Sequence, residues 1–262
     1  MTTTRTALVT GAGTGTGREY VRLLLADHVR VVAVSLLDDE LRALQSELDH
    51  TGERLIVKQA DLAEPDSAEK LLAWCDEHDY QIDTLINNAG FAAYGTPTEI
   101  DLNNLERMLV LNVLTSTKLS MVFGRRMKER GTGRILVMGS SAGFSPTVRF
   151  AAYGASKAFT NTFSLALGAD LEQSGVTVTC VAPGSFQSNF AATANVTGFA
   201  GTSVMKRIYE KETLDAPTVA EVGYRALLKG TPMVTVGSKG KAAKVLARVL
   251  SPVFIARRSR VL

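Results

Sequence analysis

TALVTGAGTGTGREYVRLLLADH, Thr6 to His28, carries a strand, a glycine turn and a helix in that order. TALVT, Thr6 to Thr10, is a β-branched and apolar run that fits a buried strand. REYVRLLLADH then repeats apolar residues at Tyr20, Val21, Leu24 and Leu25, the spacing of one helical face. Between them lies TGAGTGTG, Thr10 to Gly17. Glycine permits backbone angles and close approaches that a Cβ forbids, and the helix N-terminus behind it presents unpaired N–H groups to an anion. A pyrophosphate fits such a turn. Glycine turns also close loops that hold nothing, so the rest of the chain has to decide.

Strand-like runs alternate with helical ones along almost the whole chain. Val29–Ser35 is a second strand, followed by an amphipathic segment, Asp38–His50. Strand Arg54–Lys58, a helix from about Pro65 to His78 and strand Ile82–Asn87 come next. A helical stretch of roughly Thr98–Glu129 leads to strand Arg134–Met138, and a helix of about Ala152–Glu172 to strand Val176–Ala182. Parallel strands need crossover connections, so this alternation predicts an α/β fold: one doubly wound, Rossmann-like domain over 1–262, with a central parallel sheet of about seven strands flanked by helices. With 262 residues, 45% of them apolar and 21% charged, the chain can bury such a core.

The net charge of +3 is unevenly spread. Lys239 to Leu262 contains seven Lys or Arg and no acid, leaving 22 basic against 26 acidic residues before it. An acidic body offers no groove for nucleic acid. No apolar run reaches membrane-spanning length, and MTTTRTALVT lacks a signal-peptide core, so a cytoplasmic location is the expectation. Cys75 and Cys180 have neither metal-ligand nor disulfide spacing and read as buried thiols.

Ligands of open parallel sheets bind outside the carboxyl ends of the strands. The loops there are the glycine turn; Asp61 with Leu62, an adenine contact or a solvated loop acid; NNAG, Asn87 to Gly90; GSSAG, Gly139 to Gly143; and PGSFQS, Pro183 to Ser188. On the helix after strand five, Tyr153 and Lys157 share a face. An ammonium near a phenol favours the phenolate, lowering a pKa of about 10 towards the working range of a general acid or base. Ser140, at the end of the preceding strand, adds a hydrogen-bond donor for a carbonyl oxygen.

In these motifs the chain resembles the short-chain dehydrogenase/reductase family over nearly its full length. TGxxxGxG stands at Thr10, Gly11, Gly15 and Gly17, NNAG at Asn87–Gly90, the active-site Asn at Asn112, Ser at Ser140, YxxxK at Tyr153 and Lys157, and the proline-glycine turn at Pro183-Gly184. The resemblance implies hydride transfer between nicotinamide and a substrate carbon, with Tyr153 exchanging the proton. By the same resemblance Lys157 tunes Tyr153 and binds the nicotinamide ribose, Ser140 polarises the substrate oxygen and Asn112 places a proton-returning water. It also implies cofactor contacts at Gly11, Thr14, Gly15, Thr16, Gly17, Ser35, Asp61, Leu62, Asn88, Ala89, Gly90, Pro183, Gly184 and Ser188, and a homodimer or homotetramer. A related epimerase or dehydratase without net redox change, and a non-catalytic cofactor sensor, are the alternatives.

At the end of strand two, where NAD-dependent members of that family carry aspartate, this chain has Ser35, and the basic residues of NADP users are replaced by Leu36 and Thr14. The hydroxyls of Ser35 and Thr14 tilt the expectation to NADP within NAD(P), while Asp38 and Asp39 argue for NAD if they face the site. Residues 186–215, with Phe190 and Phe199, are the expected substrate lid. With Phe91, Tyr94, Phe144 and Phe150 on neighbouring loops, they predict an apolar carbonyl or alcohol substrate. The basic extension 239–262 places Ala242, Val245, Leu246, Val249 and Leu250 on one helical face, with Pro252 bending or ending the helix. Packing on the body or on another subunit is expected for it, and contact with an anionic membrane surface is the alternative.

Overall fold

The computed structural model describes residues 5–184 and 214–259. Seven parallel strands form one sheet in the order β3-β2-β1-β4-β5-β6-β7. They are β1 (Thr6–Thr10), β2 (Arg30–Ser35), β3 (Leu55–Gln59), β4 (Thr84–Asn87), β5 (Gly133–Met138), β6 (Val176–Pro183) and β7 (Met233–Val236). The strand order reverses between β1 and β4, whose register sets Val9 beside Ile86. The glycine turn and the NNAG loop therefore leave the sheet side by side.

The central strands are buried on both faces because helices cover both. Helices α1 (Gly15–Ala26) and α7 (Ala216–Leu228) close one side over Ala7, Val9, Val31, Ile86, Leu136 and Val181. On the other, α3 (Ser67–Glu77), α5 (Ser116–Arg130) and α6 (Ala151–Leu171) cover Leu8, Val32, Leu85, Ile135 and Val178. Alternation along each strand divides its side chains between the two cores. Each fully buried Leu or Val contributes about 1.5–3 kcal/mol, so truncating Leu85, which is wholly enclosed, is costly.

The stretch predicted as one helix over Thr98–Glu129 is segmented. α4 (Leu102–Leu109) begins at Asp101, whose carboxylate accepts from the N–H groups of Asn103 and Asn104. A π-helical turn, Val110–Thr115, then joins it to α5. Apolar periodicity cannot reveal this wider turn, which inserts one residue and changes the phase of the helix that follows.

Among the described residues, the other α-helices are α2 (Asp38–Leu48), α8 (Ser238–Val249) and α9 (Pro252–Arg258). Ser251 Oγ accepts from Phe254 N–H and starts α9, with Pro252 at its first position. Val245, Leu246, Val249 and Leu250 lie exposed, so α8 does not bury these side chains on the body, while Ile255 of α9 is half-buried. Of the expected lid, 186–215, residues 186–213, with Ser188, Phe190 and Phe199, fall outside the described residues.

Candidate active site

The glycine turn takes its shape from a long-range brace. Thr10 Oγ1 accepts from Asn88 N–H and Ala89 N–H, each at 3.0 Å. The Asn88 carboxamide donates to the carbonyls of Thr10 (3.0 Å) and Gly11 (3.2 Å) and accepts from Thr16 Oγ1 at 2.7 Å. Both amide protons of Asn88 are thereby committed to the turn. Gly11 adopts φ +62°, and a Cβ there would lie 2.9 Å from Ala89 Cα. At Gly17 a Cβ would overlap the Gly11 carbonyl.

Gly15 differs from both: its Cβ would meet nothing within 4 Å. The turn is thus packed beneath and open at Gly15. No side chain caps the start of α1, and no acid stands in its first turn. An open face, uncapped N–H groups and an unopposed helix dipole fit the pyrophosphate of a dinucleotide.

Asn112 sits in the π-helical turn and is 2% exposed. Its Oδ1 accepts from Phe91 N–H at 3.2 Å, while its Nδ2 donates to Phe91 O at 2.8 Å and to Ser156 Oγ at 3.3 Å. A Cβ on Gly90 would come within 2.8 Å of Asn112 Oδ1 and 3.5 Å of Lys157 Nζ, so the NNAG loop, Asn112 and Lys157 meet at one point.

Lys157 donates to Met138 O at 2.8 Å, and its Nζ lies 5.9 Å from the Tyr153 ring centroid. Burial lowers its pKa to about 8, with Cys180 acting in the opposite direction. That thiol is itself pushed up by burial to about 11, so it supplies no counter-charge near neutrality. Ser140 is nearly buried beside them, its Oγ accepting from Ala142 N–H at 3.1 Å.

Two residues that bond to predicted site residues escaped the sequence reading. Asn161 accepts from Ser140 N–H at 3.3 Å and donates to Ser140 O at 2.9 Å, holding the serine's backbone on both sides. Its signal was present, since Tyr153, Lys157 and Asn161 recur every four residues on α6. The second is Glu40: Ser35 Oγ donates to its Oε2 at 3.2 Å, and a Cβ on Gly13 would overlap its carboxylate. The acid reaching the end of β2 is therefore Glu40. Asp38 turns outward to pair with Arg42, and Asp39 is exposed.

Asp61 pairs with Arg107 at 2.7 Å and accepts from Ala63 N–H. Leu62 is buried, and its carbonyl accepts from Thr115 Oγ1. Gly184, after Pro183, donates its N–H to Val236 O at 2.9 Å. Tyr94, Phe150 and Tyr153 form a row, with ring centroids 5.0 and 5.8 Å apart.

A family model described as short chain dehydrogenase matches residues 5–197. The chain is 35% identical over 184 residues to a very-long-chain 3-oxoacyl-CoA reductase of Aspergillus oryzae, covering 67% of this chain and 52% of that protein, about half its length. It is 34% identical over 183 residues to the NADP-dependent 3-hydroxy acid dehydrogenase YdfG of Escherichia coli, covering 68% of this chain and 71% of the relative. A solved short-chain dehydrogenase from Sphingobium yanoikuyae in complex with NADPH is similar at TM-score 0.79 and 26% identity, over 94% of both chains.

Proposed function

The chain belongs to the short-chain dehydrogenase family, and from that premise we propose that it reduces the carbonyl of an apolar small molecule, or oxidises the matching secondary alcohol, with NAD(P). When bound, the nicotinamide supplies or accepts the hydride. The observation that supports the proposal is the buried Lys157 ammonium, its Nζ 5.9 Å from the Tyr153 ring centroid and bonded to Met138 O at the end of β5, two residues before Ser140 in the chain.

Each residue's part follows from its surroundings. Tyr153, half-buried next to Phe150, gives a proton to the substrate oxygen or takes one from it. The positive charge of Lys157 favours the phenolate. Ser140, fixed by Asn161, donates its hydroxyl proton to the same oxygen and polarises the bond. Asn112 positions the backbone of Phe91, and with it Gly90, against Lys157. The open turn at Gly15 takes the pyrophosphate. The aromatic row from Tyr94 to Tyr153 favours an apolar substrate beside the acid.

The balance within NAD(P) is towards NADP, resting on the hydroxyls of Ser35 and Thr14 and on the NADP named for the Escherichia coli and Sphingobium proteins. Glu40 acts against it.

The test is NADPH and NADH consumption against a panel of ketones, for wild type and Tyr153→Phe. Apolar ketones are expected to outrun small polar ones. Tyr153→Phe should lose about 100-fold or more in kcat while still binding NADPH. Full activity in Tyr153→Phe refutes the acid–base assignment. A changed product without net NADPH consumption refutes the redox reaction.

A further inference from the structure

Of the large hydrophobic side chains left exposed among the described residues, six fall within ten positions of the C-terminal helices. They are Val245 (62% exposed), Leu246 (48%), Val249 (72%), Leu250 (36%), Val253 (60%) and Phe254 (54%). The pairs recur every four residues from α8 across the break at Ser251 into α9. The opposite face is half-buried and mostly small, with Ala243, Ala247 and Ala256 beside one large apolar side chain, Ile255. A helix that served only to cover the fold would be mounted with its large side chains inward.

The charge around this patch has one sign. After Glu221 the remaining 41 residues contain nine Lys or Arg and no Asp or Glu. Lys241, Arg248, Arg257 and Arg258 are exposed, and among the described residues no ion pair includes them. A second copy docking the same segment by a two-fold axis would bring like charges together, with no acid in the segment to offset them. An anionic bilayer surface answers both features, taking the apolar side chains at its acyl boundary and the cations at its headgroups. No described helix is long and apolar enough to cross the membrane, so the contact is interfacial.

We propose that α8 and α9 dock the protein on an anionic lipid surface through Val245, Leu246, Val249, Leu250, Val253 and Phe254, flanked by their basic neighbours. The position of these helices gives the docking a direction. α8 packs beside the turn that follows Ser140, with Lys244 Nζ 5.9 Å from the Phe144 ring centroid. Ser259 Oγ, just past α9, accepts from Val148 N–H at 3.1 Å. Residues 144–150 link Ser140 to the helix bearing Tyr153, so the lipid-facing surface borders the substrate side of the candidate site. This docking stands apart from the redox reading and does not need it.

The experiment is flotation of the full chain with vesicles of phosphatidylcholine, and of phosphatidylcholine mixed with phosphatidylglycerol. Binding is expected only to the anionic vesicles, weakening as salt is raised. Val249→Glu combined with Phe254→Glu should cut the bound fraction about tenfold with an unchanged unfolding midpoint, because both side chains are exposed. Lys241→Gln combined with Arg248→Gln should weaken binding without touching the apolar row. Absence of binding to anionic vesicles, or binding unaffected by the glutamate pair, overturns the proposal. It is equally overturned if light scattering shows that the glutamate pair dissociates an oligomer, which would put a second copy on this face.

Discussion

Replacing Lys157 by Met should make the protein more stable while removing its activity. The wild-type ammonium is buried, and its pKa falls from 10.5 to about 8 on folding. A tenfold loss of proton affinity corresponds to about 1.4 kcal/mol, so carrying this charge into the core costs roughly 3 kcal/mol at pH 7. The hydrogen bond from Nζ to Met138 O at 2.8 Å returns about 1 kcal/mol, and methionine forgoes it. Lys157→Met is therefore expected to gain about 2 kcal/mol at pH 7, measured by urea unfolding. The sign with pH follows from proton binding. Between about 8 and 10.5 the unfolded chain keeps a proton on Lys157 that the folded chain has released, so wild-type stability rises with pH across that window. The variant's advantage should be fully present at pH 7 and nearly gone at pH 10. Groups common to both proteins cancel in the difference. A variant less stable than wild type at pH 7, or a difference that stays constant from pH 7 to pH 10, refutes the reasoning.

Glu40→Gln removes the carboxylate that shares Ser35 Oγ, where a 2′-phosphate would have to accept its own hydrogen bond. Two anions about 5 Å apart near a surface repel by about 1–3 kcal/mol, so NADPH affinity should rise about 5- to 150-fold relative to NADH in a nicotinamide-fluorescence titration. An unchanged ratio refutes this role of Glu40. Asn161→Ala leaves the buried N–H of Ser140 without its partner, while the carbonyl keeps the Gly143 N–H at 3.1 Å; the loss should cost about 1–3 kcal/mol of stability and lower kcat more than it raises KM. An equal change in both kinetic constants would show that Ser140 had not moved relative to the reacting groups.

Most of the fold was legible because its signals are local. Six strands, the glycine turn, NNAG and the Tyr153–Lys157 pair each announce themselves within a few residues. β7 (Met233–Val236) is a four-residue edge strand, too short for alternation to mark it. Glu40 was missed because the acid at the cofactor end was sought on β2 or at the first residues of α2. The phase of α2 instead sends Asp38 to Arg42 and returns the third acid to Ser35. The π-helical turn leaves no mark in apolar spacing, and the bonds its Asn112 makes to Phe91 lie 21 residues away in the chain. Apolar spacing correctly grouped the tail residues on one face. Which way that face points depends on the body beneath, where small side chains at Ala243 and Ala247 let the helix lie close.

The Asn88 brace makes the glycine turn a late feature in the life of the chain. Its eight residues are complete at Gly17, yet the carboxamide that grips Thr10 and Gly11 stands 77 or 78 positions from them. A ribosome must therefore deliver all of β1 through β4 before the turn can hold its native form, and the paired strands on either side must close a loop of that length first. The most local motif in the sequence is, in time, a long-range structure.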